Sequence, residues 1–136
     1  MVRVIDGDTV EVLEANKMAH RVRLAGIDTP ERVQAFGTRA KQALLDRVGG
    51  ETVTVEWNKR DRYRRIIGKL VREGRDVNLS MIEDGFAWWY RKYAGEQSAI
   101  DQGLYEAAEE RARHARTGLW RDPEPIPPWD WRRRKH

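Results

Sequence analysis

Apolar residues recur along the chain with two periods, and together these periods predict a barrel of strands with helices outside it. A period of two predicts strands and a period of about four predicts helices. The predicted elements are two strands within 2–13 separated by a turn at 6–8, a strand through Arg23 to Ile27, a helix over 37–48, strands over 51–57 and 66–71, a short helix that ends at Asp84, and a helix over about 98–116. This order predicts an α+β protein with an OB-fold, a five-stranded, partly open barrel with about three helices, whose mouth loops contact oligonucleotides.

For three of these elements the sequence also predicts which residues share a face or cap an end. Alternation in the strand 51–57 places Val53, Val55 and Trp57 on one face. The short helix is capped by Asp76 or Asn78, because either side chain can accept a hydrogen bond from the first turn. The apolar face of the long helix consists of Ile100, Leu104, Ala108, Ala112 and Ala115.

Two acidic turns follow apolar strands and suggest a shared site. One is Asp-Gly-Asp at 6–8, and the other is Asp-Thr-Pro-Glu at 28–31. Because Pro30 holds Thr29 in an extended conformation, Asp28, the Thr29 carbonyl and Glu31 stand at fixed angles, as in an oxygen-lined cation site. The other interpretation is an ordinary turn, since Asp and Pro are common turn residues.

Charge and composition narrow the possible chemistry. Lys and Arg total 26 against 22 Asp and Glu, a net charge of +4 that suits a polyanionic partner. No cysteine is present, which excludes disulfides and thiol chemistry, and no apolar run is long enough to span a membrane. His20, His114 and His136 have no zinc-ligand spacing. We therefore expect no membrane partner and no histidine-based site.

The chain divides into one predicted domain over 1–120 and a C-terminal tail over 121–136 that is rich in Pro, Trp and basic residues. The tail lacks periodicity and predicts an extended segment that wraps the domain through Trp129 and Trp131. Its basic end either touches nucleic acid or is simply exposed. Alternation begins at Val2, so we expect that a leader has been removed and that the protein is secreted or periplasmic.

Three motifs in order resemble those of the thermonucleases, the staphylococcal-nuclease-like Ca²⁺-dependent phosphodiesterases. They are Val-Ile-Asp-Gly-Asp-Thr at 4–9, Arg-Leu-Ala-Gly-Ile-Asp-Thr-Pro-Glu at 23–31 and Asp-Arg-Tyr-Arg-Arg at 61–65. The likeness runs from about Val2 to Trp120. The chain departs from the family at 63–65, where it reads Tyr-Arg-Arg in place of the usual Tyr-Gly-Arg.

The resemblance implies the same fold and a Ca²⁺-dependent endonuclease acting on DNA and RNA. The implied roles are Ca²⁺ ligation by Asp8, Asp28 and the Thr29 carbonyl, activation of water by Glu31 as general base, phosphate binding by Arg23 and Arg65, and orientation of a ligand or water by Asp6. The alternative function is a non-catalytic OB-fold module that binds nucleic acid or protein. Such a module has no need of paired carboxylates beside arginines, and in either case we expect a monomer.

Two further stretches are candidates for nucleic-acid binding, because aromatic faces stack on bases and cations hold phosphates. The candidate residues are Asp61, Arg62, Tyr63 and Arg64 in the polar stretch 58–65, and Tyr90 and Tyr93 in the aromatic stretch 86–93. Alternatively, the first stretch is a solvated loop. In the second, Phe86, Trp88 and Trp89 are assigned to the core.

Two adjacent arginines compete for the phosphate-binding position at 64–65. In an extended segment neighbouring side chains point to opposite sides, so Arg65 faces the cation and Arg64 faces solvent or distal phosphates. Without the usual glycine, positive backbone angles are less accessible, which predicts a shifted loop.

Overall fold

The computed structural model describes residues 1–134 and has an α+β architecture. The elements are β1 (Val2–Asp6), β2 (Thr9–Leu13), β3 (Ala19–Leu24), β4 (Ile27–Asp28), α1 (Gly37–Val48), β5 (Thr54–Arg60), β6 (Ile66–Arg72), β7 (Arg75–Asp76), α2 (Val77–Glu83), β8 (Trp88–Trp89), α3 (Ala99–Ala115) and α4 (Pro128–Arg133), with 3₁₀ segments at Arg91–Glu96 and Gly118–Arg121. Within 1–134, no helix has the length and apolar character needed to cross a membrane.

The main sheet has the strand order β1-β2-β3-β6-β5, with β7 added beside β6. Neighbouring strands are antiparallel except β3 and β6, which run parallel. Five long strands with helices outside them are consistent with an OB-fold. The predicted fold class is therefore confirmed, with β4 and β8 forming a small second sheet.

The core lies between the sheet and the helices α1, α2 and α3. Val22 and Leu24 on β3 are fully buried, whereas Arg23 between them points away from the core, as the alternation predicts. Asn78 is also fully buried, and its side chain accepts a hydrogen bond from the Leu70 amide at 3.2 Å. Its Nδ2 donates to the Ala25 and Gly68 carbonyls, each at 3.0 Å. Asn78 thus joins β6 to the end of β3, from which the site extends.

The cap of α2 is Asp76, whose side chain accepts a hydrogen bond from the Leu79 amide at 3.0 Å. The alternative, Asn78, is occupied in the core instead. Asp76 also accepts from the Tyr105 hydroxyl at 2.7 Å, so the same carboxylate links α2 to α3.

The third strand does not run continuously to Ile27 as predicted. It ends at Leu24, and Gly26 turns the chain with a φ of 78°, a conformation that favours glycine. The chain then forms β4, in which Asp28 is paired with Trp88 of β8. This break redirects the chain and places Asp28 beside the aromatic stretch 86–93.

The predicted strand 51–57 corresponds to β5, and its apolar residues differ in exposure. The strand continues to Arg60, and its register with β6 shifts between Trp57 and Lys59. Trp57, which lies opposite Gly68, is 50% exposed, whereas Val55 packs against the core.

The long helix is rotated relative to its predicted apolar face. Ile100 and Leu104 are exposed, whereas Tyr105 and Glu109 are buried. Glu109 is satisfied because it accepts from the Trp89 amide at 2.7 Å and pairs with Arg91 at 3.2 Å. Burial of the large Tyr105 ring and the hydrogen bonds of Glu109 therefore orient α3 more strongly than burial of Ile100 and Leu104 would.

The tail forms the short helix α4 and is not extended throughout. Pro128 occupies the first turn, where its missing N–H costs nothing. Trp129 packs on the domain as predicted, with its ring stacked on Tyr90 at 5.3 Å and edge-on to Trp88 at 5.5 Å. Trp131 is half-buried. The last two residues of the predicted basic end lie outside the described residues.

Candidate active site

The two acidic turns meet, as the sequence predicts, and a glycine permits the contact. The Thr29 amide donates a hydrogen bond to Asp8 Oδ2 at 3.2 Å. A Cβ added at Gly7 would lie 2.8 Å from Thr29 Oγ1 and 3.0 Å from the Ala40 Cβ. A side chain at Gly7 would therefore have to displace the side chain of Thr29 or α1 at Ala40.

Asp28 is the buried carboxylate of the site, with only 1% of its surface exposed. Burial raises the pKa of this carboxyl to about 6, because desolvation disfavours its charged form more than neighbouring cations favour it. The nearby Asp8 carboxylate adds to the rise, while Arg132 and Arg23 oppose it. Asp28 is therefore ionised at neutral pH, but it lies in surroundings that strongly favour a bound positive charge.

Glu31 stands at the opening of the site and is held by its backbone. Its amide donates to Gln34 Oε1 at 3.0 Å, and a Cβ at Gly37 would overlap its carbonyl oxygen. Its side chain is 38% exposed. Beside it lies a pocket of about 280 Å³ whose lining includes Asp8 and Thr29. Glu31 therefore combines a fixed backbone with access to solvent.

Arg23 is aimed along the same edge of the barrel. Its Nη1 donates to the Leu24 carbonyl at 3.3 Å and its Nη2 to the Ile27 carbonyl at 3.1 Å. The guanidinium lies 5.5 Å from the centre of the Tyr90 ring. These contacts employ two of its five N–H donors, which leaves donors for an anion.

Arg65 immediately precedes β6, the strand beside β3, and is held by Asp61. β3 and β6 are parallel, with Arg23 opposite Ile67, and Arg65 lies two residues before Ile67 at the start of β6. Its Nε donates to Asp61 Oδ2 at 2.8 Å. The two Nη groups of Arg65 make no hydrogen bond within 1–134, so they can bind an anion.

Asp61 organises the turn before β6 through its own carboxylate. Oδ1 accepts from the amides of Tyr63 and Arg65, both at 2.9 Å. Partial burial raises the pKa of Asp61, but the hydrogen bonds and charge of Arg65 outweigh it and bring the pKa below its usual value. The carboxylate that was a candidate for nucleic-acid contact is thus engaged within the turn.

The family model described as staphylococcal nuclease homologue matches residues 21–122. The chain belongs to the staphylococcal nuclease family. It is 41% identical over 136 residues to an uncharacterized endonuclease of Escherichia coli, with 99% of this chain and 84% of that protein covered. It is 42% identical over 142 residues to a micrococcal nuclease of Shigella flexneri, with 98% and 79% covered. An uncharacterized endonuclease of Haemophilus influenzae is 36% identical over 135 residues, with 99% and 72% covered. The resemblance inferred from three motifs is confirmed.

This staphylococcal nuclease homologue keeps a tight turn at 61–65 although it lacks the usual glycine. Arg64 adopts a φ of 65°, so the segment is not extended there, contrary to our prediction. The Arg64 amide donates to the Asp61 carbonyl at 3.0 Å, which closes the turn. Instead of a shifted loop, the turn contains Arg64 in the left-handed conformation. This conformation costs about 1–2 kcal/mol for a residue other than glycine.

Arg64→Gly is therefore expected to stabilise the protein by about 1 kcal/mol, since relief of the left-handed strain exceeds the greater flexibility of glycine in the unfolded chain. Arg64→Ala is the matched control, because it removes the same exposed side chain but keeps the Cβ. Thermal unfolding measures both. A melting temperature for Arg64→Gly no higher than for Arg64→Ala would contradict the strained turn.

The remaining candidate nucleic-acid contacts differ in exposure. Tyr63 is 65% exposed, and Arg62 lies over its ring at 4.9 Å. Tyr93 is 42% exposed and meets Tyr90 edge-on at 4.9 Å. Tyr90 is itself buried under Trp129. The rings of Tyr63 and Tyr93 are therefore accessible for stacking on a base. The ring of Tyr90 is covered, and its hydroxyl is the group that remains for a contact with substrate.

One residue at the site of this homologue was missed by sequence reasoning, namely Arg132 in the tail. Its Nη1 donates to Asp28 Oδ1 at 3.1 Å and to Glu31 Oε1 at 2.7 Å. Its Nη2 donates to Asp28 Oδ2 at 2.6 Å and lies 3.5 Å from the Tyr90 hydroxyl. The sequence signal that could have pointed to Arg132 is Trp129, three residues earlier. On a helix this spacing puts an aromatic residue that packs on the domain and a cation on one face.

The site has the donor chemistry of a hard-cation site. Asp8, Asp28 and the Thr29 carbonyl offer only oxygen atoms, the ligands that Ca²⁺ takes in flexible geometry. Within 1–134 no group of three or more His, Cys, Asp or Glu residues forms a metal cluster, so a cation here would take further ligands from water or substrate. The guanidinium of Arg132 on Asp28 shows that the carboxylate accepts a positive charge at this position.

Proposed function

We propose that this protein is a Ca²⁺-dependent endonuclease that hydrolyses phosphodiester bonds of DNA and RNA. The observation that carries the proposal is the meeting of the two acidic turns, with Glu31 at their opening and Arg23 on the adjoining strand. Carboxylates beside arginines suit a polyanionic substrate that must be both held and attacked. The endonuclease and micrococcal nuclease names of the relatives support the same activity.

Asp8, Asp28 and the Thr29 carbonyl would hold the cation, which supplies charge neutralisation at a phosphate oxygen. Glu31 then accepts the proton of the attacking water on its exposed carboxylate. As the new bond between the water oxygen and phosphorus forms, one phosphorus–oxygen ester bond breaks, and the departing oxygen takes a proton from solvent. Asp6, which contacts Arg32 at 3.4 Å and lines the same pocket as Asp8, would orient water there.

Arg23 and Arg65 would donate hydrogen bonds to the phosphate oxygens. Arg23 lies on β3 and Arg65 immediately precedes the parallel neighbouring strand β6, so both guanidinium groups could reach one phosphate. Charge on the phosphate oxygens increases in the transition state, so donors that are already fixed by Ile27 and Asp61 stabilise it without reorganisation.

The test is cleavage of circular plasmid DNA and of a structured RNA by the purified protein. With Ca²⁺, nicked and linear plasmid should appear and the RNA should be cut internally; with chelator, both products should disappear. Mg²⁺ should support little cleavage, because it demands octahedral geometry at shorter distances. Full activity in chelator, or with Mg²⁺ alone, would contradict the Ca²⁺ mechanism, and inactivity in all conditions would favour the non-catalytic alternative.

Asp28→Asn should weaken Ca²⁺ binding about tenfold or more, because a neutral amide of the same shape replaces a charged ligand; tenfold corresponds to about 1.4 kcal/mol. Isothermal titration calorimetry measures the dissociation constant. Asp46→Asn, on the exposed side of α1, is the control and should bind like the wild type. Unchanged affinity in Asp28→Asn would remove Asp28 from the cation site.

A further inference from the structure

Arg132 lies where the cation of the proposed function would have to bind. We propose that residues 122–133, the C-terminal strap, form a built-in competitor that must withdraw Arg132 before Ca²⁺ can occupy the site. This inference rests on the proposed function and adds to it a form of the protein in which the site is closed by its own chain.

The two cations exclude one another at Asp28. Both oxygens of this carboxylate accept from Arg132, at 3.1 and 2.6 Å, and the residue is only 1% exposed. Ca²⁺ must come within about 2.3–2.6 Å of a ligand oxygen. A buried carboxylate whose two oxygens already hold a guanidinium offers no free face for it, and two positive charges at this separation repel strongly.

Glu31 is occupied by the same group. Its Oε1 accepts from Arg132 Nη1 at 2.7 Å, so the proposed general base is paired while the strap is docked. The guanidinium therefore occupies an oxygen that an attacking water would have to reach. The docked strap therefore affects both cation binding at Asp28 and the proposed general base, Glu31.

The strap is anchored at points that keep Arg132 near the site. Gln34 Nε2 donates to the Ile126 carbonyl at 2.6 Å, and Gln34 Oε1 accepts from the Glu31 amide at 3.0 Å. Trp129 stacks on Tyr90 at 5.3 Å. Because the strap belongs to the same chain, its effective concentration at the site is high, so one arginine can compete with a divalent cation.

The docked end of the strap is also able to leave. α4 has six residues, too few for a helix that is stable by itself, and the Arg132 side chain is 40% exposed. In the docked form Arg132 already lines a groove together with Arg91 and Lys92. A nucleic-acid backbone bound there would offer Arg132 a phosphate in place of Asp28 and Glu31, so a polyanion and Ca²⁺ both favour withdrawal of Arg132 from the site.

The first test is calorimetric titration of the full chain with Ca²⁺ in the absence of nucleic acid. Arg132→Gln should bind Ca²⁺ about tenfold or more tightly than the wild type, because the competitor has lost its charge. Arg133→Gln is the matched control on the same helix, since the ion pair of Arg133 within 1–134 is with Asp130, at 3.6 Å, and its affinity should not change. Unchanged or weaker Ca²⁺ binding by Arg132→Gln would overturn the inference.

The second test uses the wild-type chain and so does not depend on how a variant folds. The amides of Asp130 and Trp131 donate to the Pro127 carbonyl, each at 3.0 Å, and their hydrogen exchange reports on α4. Saturating Ca²⁺ should speed exchange in α4 at least several-fold and leave α1 unchanged. Equal exchange rates in α4 with and without Ca²⁺ would overturn the inference.

The two tests separate this inference from the proposed function. If Ca²⁺ binds and plasmid is cleaved but Arg132→Gln has wild-type affinity, the inference fails and the function stands. If neither the wild type nor Arg132→Gln binds Ca²⁺, the proposed cation is wrong and the inference fails with it.

Discussion

Glu31→Gln is expected to lower turnover on plasmid DNA by about 10²–10⁴-fold, the usual effect of losing a general base. Glutamine keeps the size of the side chain and its place at the opening of the site, but it cannot accept the proton of the attacking water. Ca²⁺ binding should be retained, because Glu31 is not assigned as a ligand and the neutral amide also weakens the hold on Arg132 by removing the charge of that pair. A rate assay at saturating Ca²⁺ and calorimetry together give the result.

The comparison with Asp28→Asn decides the roles of the two carboxylates. Asp28→Asn should act mainly on the Ca²⁺ concentration needed for activity, whereas Glu31→Gln should act on the rate at saturating Ca²⁺. Glu83→Gln, an exposed change on α2, is the control and should leave both unchanged. The reverse pattern would exchange the assignments of Asp28 and Glu31.

Arg65→Ala is expected to lower turnover by about 10²–10³-fold, the effect of removing one donor to the charge that forms in the transition state. Arg65 also holds the turn through Asp61, so its loss could act through the backbone instead. Asp61→Asn separates these effects, because it weakens the turn and keeps the guanidinium. A turnover loss in Asp61→Asn as large as in Arg65→Ala would assign Arg65 to the turn and not to the phosphate.

Arg64→Ala should behave differently, because its exposed side chain can meet only a more distant phosphate. We expect nearly normal turnover and a salt dependence of substrate binding that is lower by about one phosphate contact. Binding of a short DNA duplex at several salt concentrations measures this slope. A larger turnover loss for Arg64→Ala than for Arg65→Ala would mean that the left-handed turn exchanges the roles of the two arginines.

Local periodicity in the sequence determines most of the fold. The bounds of α1, 37–48, follow from Ala40, Leu44 and Val48, all of which are buried, and from the two glycines that end it. Strands alternate because one face of each is buried in the barrel. Such signals lie within a few residues of one another, so they can be read from the chain in one dimension.

The candidate site could be predicted for a similar reason. Asp8, Asp28 and Glu31 lie in turns or at strand ends, where a short motif determines both the backbone path and the side-chain chemistry. The roles of these residues stay predictions until the variants are measured. The position of Arg23 followed from alternation alone, since its neighbours Val22 and Leu24 had to face the core.

Only the tertiary structure decided which distant groups meet. Trp57 is exposed although Val55, two residues earlier, packs against the core, and α3 turned toward Tyr105 and Glu109 because their partners lie on other elements. The clearest case is Arg132, which reaches Asp28 across 104 residues of chain. A basic residue in an aperiodic tail carries no local sign of its partner, because that contact depends on where Trp129 docks and not on the residues beside it.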